Sequence, residues 1–303
     1  MLRETRKWRW LAAALLTLAA LTIAACGDDD DDDGNGGGNG SQPAAEVEQF
    51  PADTTMGEIQ EKGEIAIGVK YDVPPFGFRN PQSGDVEGFD IDVGRAIADK
   101  LGVEPDFIEA ISDNRIPFLM DGTADLILST MTITGERDQE IDFSEPYFVA
   151  RGRILVAGDS DIRGLADLAG NSVCTALGST YEDTLREEAP DAELRLVDSY
   201  SECLELLQNG AVDAISTDDV ILTGMIIQDD TLQLVGDQLT TEPYGAGIAD
   251  GDREFKRFVD EAIQEFKDDG RWAESYQKWV GQYTEEKQKP PTMTLEEAIE
   301  LAP

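Results

Sequence analysis

A group of hydroxyl side chains and one arginine in the middle of the chain has the composition of a carboxylate receptor. Ser129, Thr130 and Thr132 directly follow a short apolar segment, and Arg137 comes about a turn later. A guanidinium group offers two parallel charge-assisted hydrogen bonds to a carboxylate, and hydroxyl and backbone N–H groups supply further donors. The residues alone also allow a plainer interpretation, in which Arg137 forms a surface ion pair with Glu140.

Other polar residues occupy the same kind of position, directly after a predicted strand. Ser179 and Thr180 begin the helix that follows a strand at 172–176, and Asp218 follows a strand at 212–216. Ligands of open α/β sheets bind at the carboxyl ends of strands, beside the N-termini of helices. We therefore expect these residues to line one ligand cleft.

The elements that position these residues alternate between strand and helix from about residue 53 to residue 283. This alternation predicts mainly parallel sheets covered by helices on both faces. Roughly 230 residues are many for one such sheet and suit two lobes. The predicted strands are 65–69, 124–128, 154–156, 172–176, 194–197 and 212–216, and the predicted helices are 90–101, 114–120, 162–168, 180–188, 203–208 and 219–227.

The N-terminus has the pattern of an export signal. Four basic residues precede an apolar run at 11–25, which is too short for a comfortable membrane span and predicts a signal peptide at 1–25. The run ends in Ile23-Ala24-Ala25-Cys26, which resembles the bacterial lipobox. That resemblance implies a lipid on Cys26 and a mature protein anchored to the outer face of the cytoplasmic membrane. An ordinary signal peptide that ends near a cysteine is the alternative.

The composition of the chain argues against several kinds of partner and site. Residues 28–33 are six aspartates and a Gly/Asn run follows them, which predicts a disordered leash at 26–52. The aspartates lack the spacing of a calcium loop. The formal charge of −39 becomes −42 without the signal peptide and argues against nucleic acid as a partner. The absence of histidine excludes the usual zinc sites and any imidazole base, so we expect no metal and no cofactor.

Two cysteines remain once Cys26 is assigned to the lipid. Outside the cytoplasm an even number of cysteines favours a disulfide, here between Cys174 and Cys203. Two buried free thiols are the alternative.

The motifs together resemble the amino-acid-binding (family 3) extracytoplasmic components of ABC importers, over nearly all of residues 57–283. The resemblance implies a two-lobed type II periplasmic-binding-protein-like α/β fold, in which each lobe is a mainly parallel sheet flanked by helices. Lobe one would comprise 53–150 plus 243–283 and lobe two 151–242, with hinge crossings near Ala150 and Glu242. It also implies a monomeric, non-enzymatic protein that binds an amino acid and delivers it to the transmembrane subunits of an ABC permease. The tail at 284–303 has no assigned role. The matching segments are Gly68 to Phe76, Gly88 to Asp92, Ser129 to Arg137, Ile141 to Tyr147, Gly178 to Thr180, Gly210 to Ala214, Thr217-Asp218 and Glu242 to Gly245.

The resemblance also implies roles for individual residues. The α-carboxylate of the ligand would bind Arg137 together with the hydroxyl and backbone groups of Ser129, Thr130 and Thr132. The N-terminus of the helix at Ser179 and Thr180 would add backbone N–H groups and a favourable dipole. Asp218 would accept hydrogen bonds from the α-ammonium. Phe76 would pack against the ligand stem, or else belong to the core.

Lys70 and Arg115 decide the expected ligand. They resemble the side-chain carboxylate clamp of the glutamate/aspartate-binding branch, although alone Lys70 could be solvated and Arg115 paired with Asp113. With Arg137 and Asp218 they give the site a charge of +2, which favours an acidic amino acid. Glutamine or another polar amino acid is the alternative. A periplasmic cyclohexadienyl/arogenate-type dehydratase, or a protein that signals through a separate receptor, are further alternatives on the same fold.

Overall fold

A computed structural model of the protein describes residues 47–284 and 287–302. The predicted signal peptide, Cys26 and most of the predicted leash lie outside the described residues. Within these ranges, no helix combines the length and the apolar character needed to cross a membrane.

The described residues form a mixed α/β structure. The helices are α1 (Thr55–Lys62), α2 (Phe89–Leu101), α3 (Arg115–Met120), α4 (Thr180–Glu188), α5 (Tyr200–Gln208), α6 (Asp219–Gln228), α7 (Arg253–Asp268), α8 (Arg271–Trp279) and α9 (Leu295–Leu301), with 3-10 turns at Ser112–Asn114, Arg137–Gln139 and Leu165–Leu168. The strands are β1 (Glu64–Val69), β2 (Asp72–Val73), β3 (Gly77–Arg79), β4 (Val86–Glu87), β5 (Glu104–Glu109), β6 (Leu126–Ile127), β7 (Asp142–Phe143), β8 (Phe148–Ala157), β9 (Ser172–Ala176), β10 (Glu193–Val197), β11 (Ala214–Asp218), β12 (Leu232–Val235), β13 (Thr241–Tyr244) and β14 (Gly247–Ile248).

The first large sheet has the order β5-β1-β6-β14-β7. β1 runs parallel to β5 and to β6, whereas β14 runs antiparallel to β6 and to β7. Lys70 directly follows β1 and Ser129 comes two residues after β6, so the carboxyl ends of these neighbouring strands bring the two residues to one edge of the sheet.

The second large sheet has the order β10-β9-β11-β8-β12. β9, β10 and β11 are parallel, whereas β8 runs antiparallel to β11 and to β12. The early part of β8 also pairs with β13, and there Ala150 lies opposite Glu242, so the two segments expected to cross between the lobes form one antiparallel ladder. The fold is thus the predicted two-lobed α/β structure.

Two predicted elements are shorter than the sequence pattern suggested. The strand at 124–128 is reduced to β6, because the chain pairs with β1 and β14 over only a few residues before it turns into the site. The helix predicted at 162–168 is only the 3-10 turn Leu165–Leu168, because Gly164 before it has extended backbone.

The tail forms a short helix that packs against the loop carrying the candidate site. Thr294 and Glu297 form a capping box at the start of α9, which satisfies the first N–H groups of a helix too short to be stable alone. Ala298 of α9 is fully buried in an apolar cluster with Met131 and Ile133. The tail therefore covers the segment that contains Thr130 and Thr132.

The two cysteines form the predicted disulfide. Cys174 in β9 bonds to Cys203 in α5, 29 residues further along the chain. The bond joins an inner strand of the second sheet to the helix that packs on it, and both side chains are fully buried.

Removing this disulfide should destabilise the protein. A closed loop of this length reduces the entropy of the unfolded chain and contributes about 3 kcal/mol to the free energy of unfolding in the chain-entropy model. We expect the Cys174→Ala/Cys203→Ala variant to unfold at correspondingly lower urea concentration. Dithiothreitol should lower the midpoint of the wild type and leave that of the double variant unchanged. Equal midpoints for wild type and variant would contradict a stabilising role.

Candidate ligand-binding site

The buried charged side chains of the described residues converge on one region between the two large sheets. Five such side chains are at most 3% exposed, and a sixth, Arg137, is half-buried. Buried ionised groups are rare because their desolvation is costly, so a cluster of them marks a functional site more readily than a structural one. The five are Lys70, Asp90, Arg115, Asp218 and Glu242.

Arg137 lies at the junction of the two sheets. Its guanidinium donates to the carbonyl of Thr132 at 2.8 Å and to the carbonyl of Gly178 at 3.1 Å. Thr132 follows β6 of the first sheet and Gly178 follows β9 of the second, so one side chain contacts both lobes. Burial lowers the pKa of Arg137, and the charge of Glu242 opposes that shift.

Arg115 is held by backbone carbonyls. Its Nε donates to Ser112 at 3.0 Å, one terminal nitrogen donates to Ser129 and Thr130 at 3.1 Å, and the other donates to Gly178 at 3.1 Å. Four acceptors engage most of the five N–H donors of the group. Arg115 therefore fixes the loop after β6, and its hydrogen bonds are to these carbonyls rather than to the Asp113 carboxylate considered from the sequence. Burial, with the charge of Arg137, lowers its pKa to about 9.

Lys70 is buried rather than solvated. Its Nζ donates to the hydroxyl of Ser112 at 2.7 Å and lies 5.8 Å from the centre of the Tyr200 ring. Burial, together with the charge of Arg115, lowers the pKa of Lys70 to about 7. Its ammonium and amine forms are therefore comparably populated near neutral pH.

The loop after β6 has a strained backbone held by a buried carboxylate. Thr130 has φ +44°, a value that residues other than glycine seldom adopt. Its N–H donates to Oδ2 of Asp90 at 2.9 Å, and Oδ1 of Asp90 accepts from the hydroxyl of Tyr147 at 2.8 Å. The hydroxyl of Ser129 donates to the carbonyl of Ala110 at 2.8 Å. Burial raises the pKa of Asp90 to about 7.

Glu242 and Asp218 form the acidic side of the site. Oε2 of Glu242 accepts from the hydroxyls of Thr132 at 2.6 Å and Thr180 at 3.0 Å. Oδ1 of Asp218, at the end of β11, accepts from the hydroxyl of Tyr181 at 2.9 Å. Burial and the charge of Glu242 raise the pKa of Asp218 well above its usual range, and burial also raises the pKa of Glu242.

The start of α4 lies at the same junction. Ser179 is the N-cap of the helix, Thr180 is its first residue, and the hydroxyl of Ser179 donates to the carbonyl of Ala176 at 2.7 Å. Gly178, just before the cap, has φ +72°, and a Cβ there would lie 2.8 Å from Cα of Asp113 in the first lobe. The two lobes therefore approach each other to backbone contact at this point.

Phe76 lies in the aromatic core of the first lobe. It is fully buried, and its ring centroid lies 4.8 Å from that of Phe148 and 5.4 Å from that of Phe89. Its ring contacts are those of the core alternative considered from the sequence.

Two members of the cluster were not identified as site residues from the sequence. Asp90 and Glu242 both occur in motifs that supported the family resemblance, but an acidic residue in an acidic chain carries no mark of burial. Their presence changes the charge of the site from +2 to zero, with three cations and three carboxylates. Nothing in the sequence around Thr130 indicates that its backbone is strained or that the carboxylate of Asp90 holds it.

Comparison with known proteins agrees with this architecture. The ABC transporter glutamine-binding protein GlnH of Bacillus subtilis (strain 168) is 39% identical over 272 residues, which cover 88% of this chain and 95% of that protein. The glutamate-binding protein GluB of Corynebacterium efficiens is 33% identical over 235 residues, covering 73% and 78% respectively. An ancestral arginine-binding protein solved with glutamine bound superposes with a TM-score of 0.69 at 37% identity, covering 72% of this chain and 98% of that one. The family model for bacterial extracellular solute-binding proteins, family 3, matches residues 65–282, and the chain therefore belongs to that family.

Proposed function

We propose that this protein is the extracytoplasmic solute-binding subunit of an amino acid ABC importer and that its ligand is L-glutamine. The glutamine-binding relative from Bacillus subtilis matches nearly the whole chain, and the glutamate-binding relative matches less of it at lower identity. This choice replaces the acidic amino acid favoured by the sequence alone, which becomes the second candidate.

The observation that carries the choice is the charge balance of the buried cluster. Counted with all six groups ionised, three cations face three carboxylates, so a zwitterionic ligand with a neutral side chain leaves the site neutral. Loss of the Lys70 proton makes the site more negative and opposes an acidic ligand further. Glutamate would bring one negative charge into a region where an uncompensated charge is strongly unfavourable. Half-buried Asp72, whose charge raises the pKa of Lys70, shifts the balance further in the same direction.

The groups near Lys70 suit a side-chain amide. The amide oxygen of glutamine can accept from Nζ of Lys70, which already donates to Ser112. Arg115, held by backbone carbonyls, has little free donor capacity for a second carboxylate. At the other end of the ligand, Arg137 and the N-terminus of α4 would bind the α-carboxylate.

Binding would close the two lobes around the ligand. The lobe boundaries are proposed as 53–150 plus 243–283 and 151–242, with the paired residues Ala150 and Glu242 as the hinge. The carbonyl of Gly178 accepts hydrogen bonds from Arg115 and Arg137 across the cleft, and these hydrogen bonds exist only when the lobes meet. A ligand that touches both lobes stabilises the closed form because its affinity for that form is higher.

The remaining parts of the proposal concern location and partners. Cys26 would carry the lipid that anchors the protein outside the cytoplasmic membrane, and residues 27–52 would be the leash. The family match supports an extracytoplasmic location. The closed monomer would then deliver its ligand to the transmembrane subunits of the permease.

Calorimetric titration at pH 8 and pH 6 tests the ligand assignment. At pH 8, where Lys70 is largely neutral, glutamine should bind at least about 10-fold more tightly than glutamate. At pH 6 Lys70 is protonated and can pair with a carboxylate, so the glutamine-to-glutamate preference should shrink by about 10-fold. Lys70→Met should remove this pH dependence, whereas Lys62→Met, an exposed lysine of α1, should preserve it.

Three outcomes would count against the proposal. Tighter binding of glutamate than of glutamine at pH 8 would restore the acidic ligand. Tighter binding of arginine or lysine would refute the site assignment itself. Turnover of prephenate or arogenate by the protein would indicate the dehydratase alternative.

A further inference from the structure

Glu242 receives hydrogen bonds from three separate parts of the chain. Thr132 belongs to the loop after β6, Thr180 begins α4, and Thr240 immediately precedes β13. Each donor is a threonine hydroxyl, and each of these hydroxyls has a single proton to donate. The carboxylate of Glu242 therefore accepts hydrogen bonds from threonine hydroxyls of both lobes.

This arrangement changes what the two threonines can offer a ligand. While the hydroxyls of Thr132 and Thr180 donate to Glu242, they cannot also donate to a ligand carboxylate. Their free lone pairs can only accept, and they add to the acceptors of a carboxylate. This side of the site is consequently suited to a cationic donor, and the α-carboxylate of the ligand is left to Arg137 and backbone N–H groups.

Asp218 lies on the same side. The hydroxyl of Tyr181, the residue after Thr180, donates to Asp218, and Tyr181 experiences the charges of both Asp218 and Glu242. Asp218 lies opposite Gly152 and Glu242 lies opposite Ala150, so both pair with the same strand, β8, at positions two residues apart. The charge of Glu242 accordingly acts on Asp218. The titratable and charged groups that face this pair from the surrounding elements are Arg115, Arg137, Tyr181, Tyr200, Asp219 and Tyr244.

We propose that Glu242 is the second carboxylate of the α-ammonium site, that Glu242 and Asp218 share one proton in the unliganded protein, and that the ammonium group of the ligand displaces this proton. The inference rests on the proposed function only in requiring an α-amino acid as ligand. It does not depend on which amino acid that is.

The exchange conserves charge and protons. Before binding, the pair carries one negative charge and one bound proton, as expected for two neighbouring buried carboxylates that resist double ionisation. The ligand enters with its ammonium group already protonated, and the shared proton passes to the solvent. The doubly ionised pair then faces the ammonium and Arg137. The raised pKa values of both carboxylates agree with a proton held near neutral pH.

Titrations with glutamine at pH 7 in phosphate and in Tris test the proposal. These buffers differ in ionisation enthalpy, so the difference in apparent binding enthalpy reports the number of protons released. We expect about one more proton released by the wild type than by Glu242→Gln. The variant should also bind about 10- to 100-fold more weakly, because an ammonium bonds more strongly to a carboxylate than to an amide.

The Glu242→Gln side chain fits the existing hydrogen bonds. Its amide oxygen can accept from Thr132 and Thr180, and the hydroxyl of Thr240 can turn to accept from its amide nitrogen. Glu145→Gln is the matched control, because Glu145 is partly buried with a pKa raised by burial and by Asp260, away from the cluster. The control should release as many protons as the wild type.

Equal proton release by wild type and Glu242→Gln would overturn the inference, as would unchanged affinity of the variant. Where the variant does not fold, Lys70→Met decides, because it removes the lysine that also titrates near pH 7: net release by this variant supports the inference, and no net exchange overturns it. If glutamine does not bind, the proposed ligand fails, and the same titrations are made with an amino acid that does bind. N-acetylglutamine, which lacks the ammonium, should neither bind tightly nor release the proton.

Discussion

Arg137→Ala is expected to lower the affinity for glutamine and for glutamate by at least about 30-fold each. The α-carboxylate is common to both ligands, and removing its buried cationic partner costs about 2–5 kcal/mol of binding free energy. Arg137 also donates to Thr132 and Gly178, so the variant loses a bridge between the lobes at the same time. Calorimetry with both ligands measures the loss.

A matched control separates this effect from general loss of an arginine. Arg257 in α7 is largely exposed and has a long 3.8 Å contact with Glu261, so Arg257→Ala should bind both ligands as the wild type does. The circular dichroism spectrum of Arg137→Ala should match that of the wild type, which would show that the fold is intact. Retention of glutamine affinity within tenfold would place the α-carboxylate elsewhere.

Gly224→Ala should greatly weaken the binding of glutamine without destabilising the unliganded fold. Gly224 lies inside α6, and a Cβ there would lie 1.7 Å from the carbonyl oxygen and 2.8 Å from the carbonyl carbon of Pro74. Both atoms are backbone, so no side-chain rotation relieves the clash. Pro74 and α6 belong to different proposed lobes, and the added methyl group should hold them apart. Alanine is also favoured over glycine within a helix by about 1 kcal/mol.

The expected result is an affinity for glutamine at least about 100-fold lower, because the free energy of closure must now include moving a backbone segment. The thermal midpoint of the unliganded variant should stay equal to that of the wild type or rise, since the open form avoids the clash. Small-angle scattering should show that glutamine compacts the wild type and leaves the variant extended.

Thr223→Ala is the control for this substitution. Thr223 is next to Gly224 in α6, and its hydroxyl donates to the carbonyl of Asp219 within the same helix. The control should bind glutamine within a few-fold of the wild type. Normal affinity of Gly224→Ala would mean that α6 and Pro74 need not approach this closely in the liganded protein.

Much of the candidate site could be anticipated because its residues follow strands. Lys70, Arg115, Arg137 and Asp218 stand after or near strand ends, and parallel strands bring their carboxyl ends to one edge. The disulfide followed from the cysteine count and the expected compartment. The proposed ligand differs from the acidic amino acid expected from the sequence, because that expectation depended on a charge count that omitted Asp90 and Glu242.

The sequence by itself determined the family, the α/β alternation and the cations that face the cleft, since these depend on local patterns and on motifs in a particular order. Only the tertiary structure determined the formal charge of the candidate site. Thr132 meets Glu242 across 110 residues of chain, and Thr130 meets Asp90 across 40. Among 63 acidic residues, burial alone distinguishes the few that matter, and burial is created by packing between distant segments rather than by any local periodicity. The desolvated carboxylates produced by that packing balance the formal charge of the cations, and for this reason the proposed ligand is a neutral amino acid rather than an acidic one.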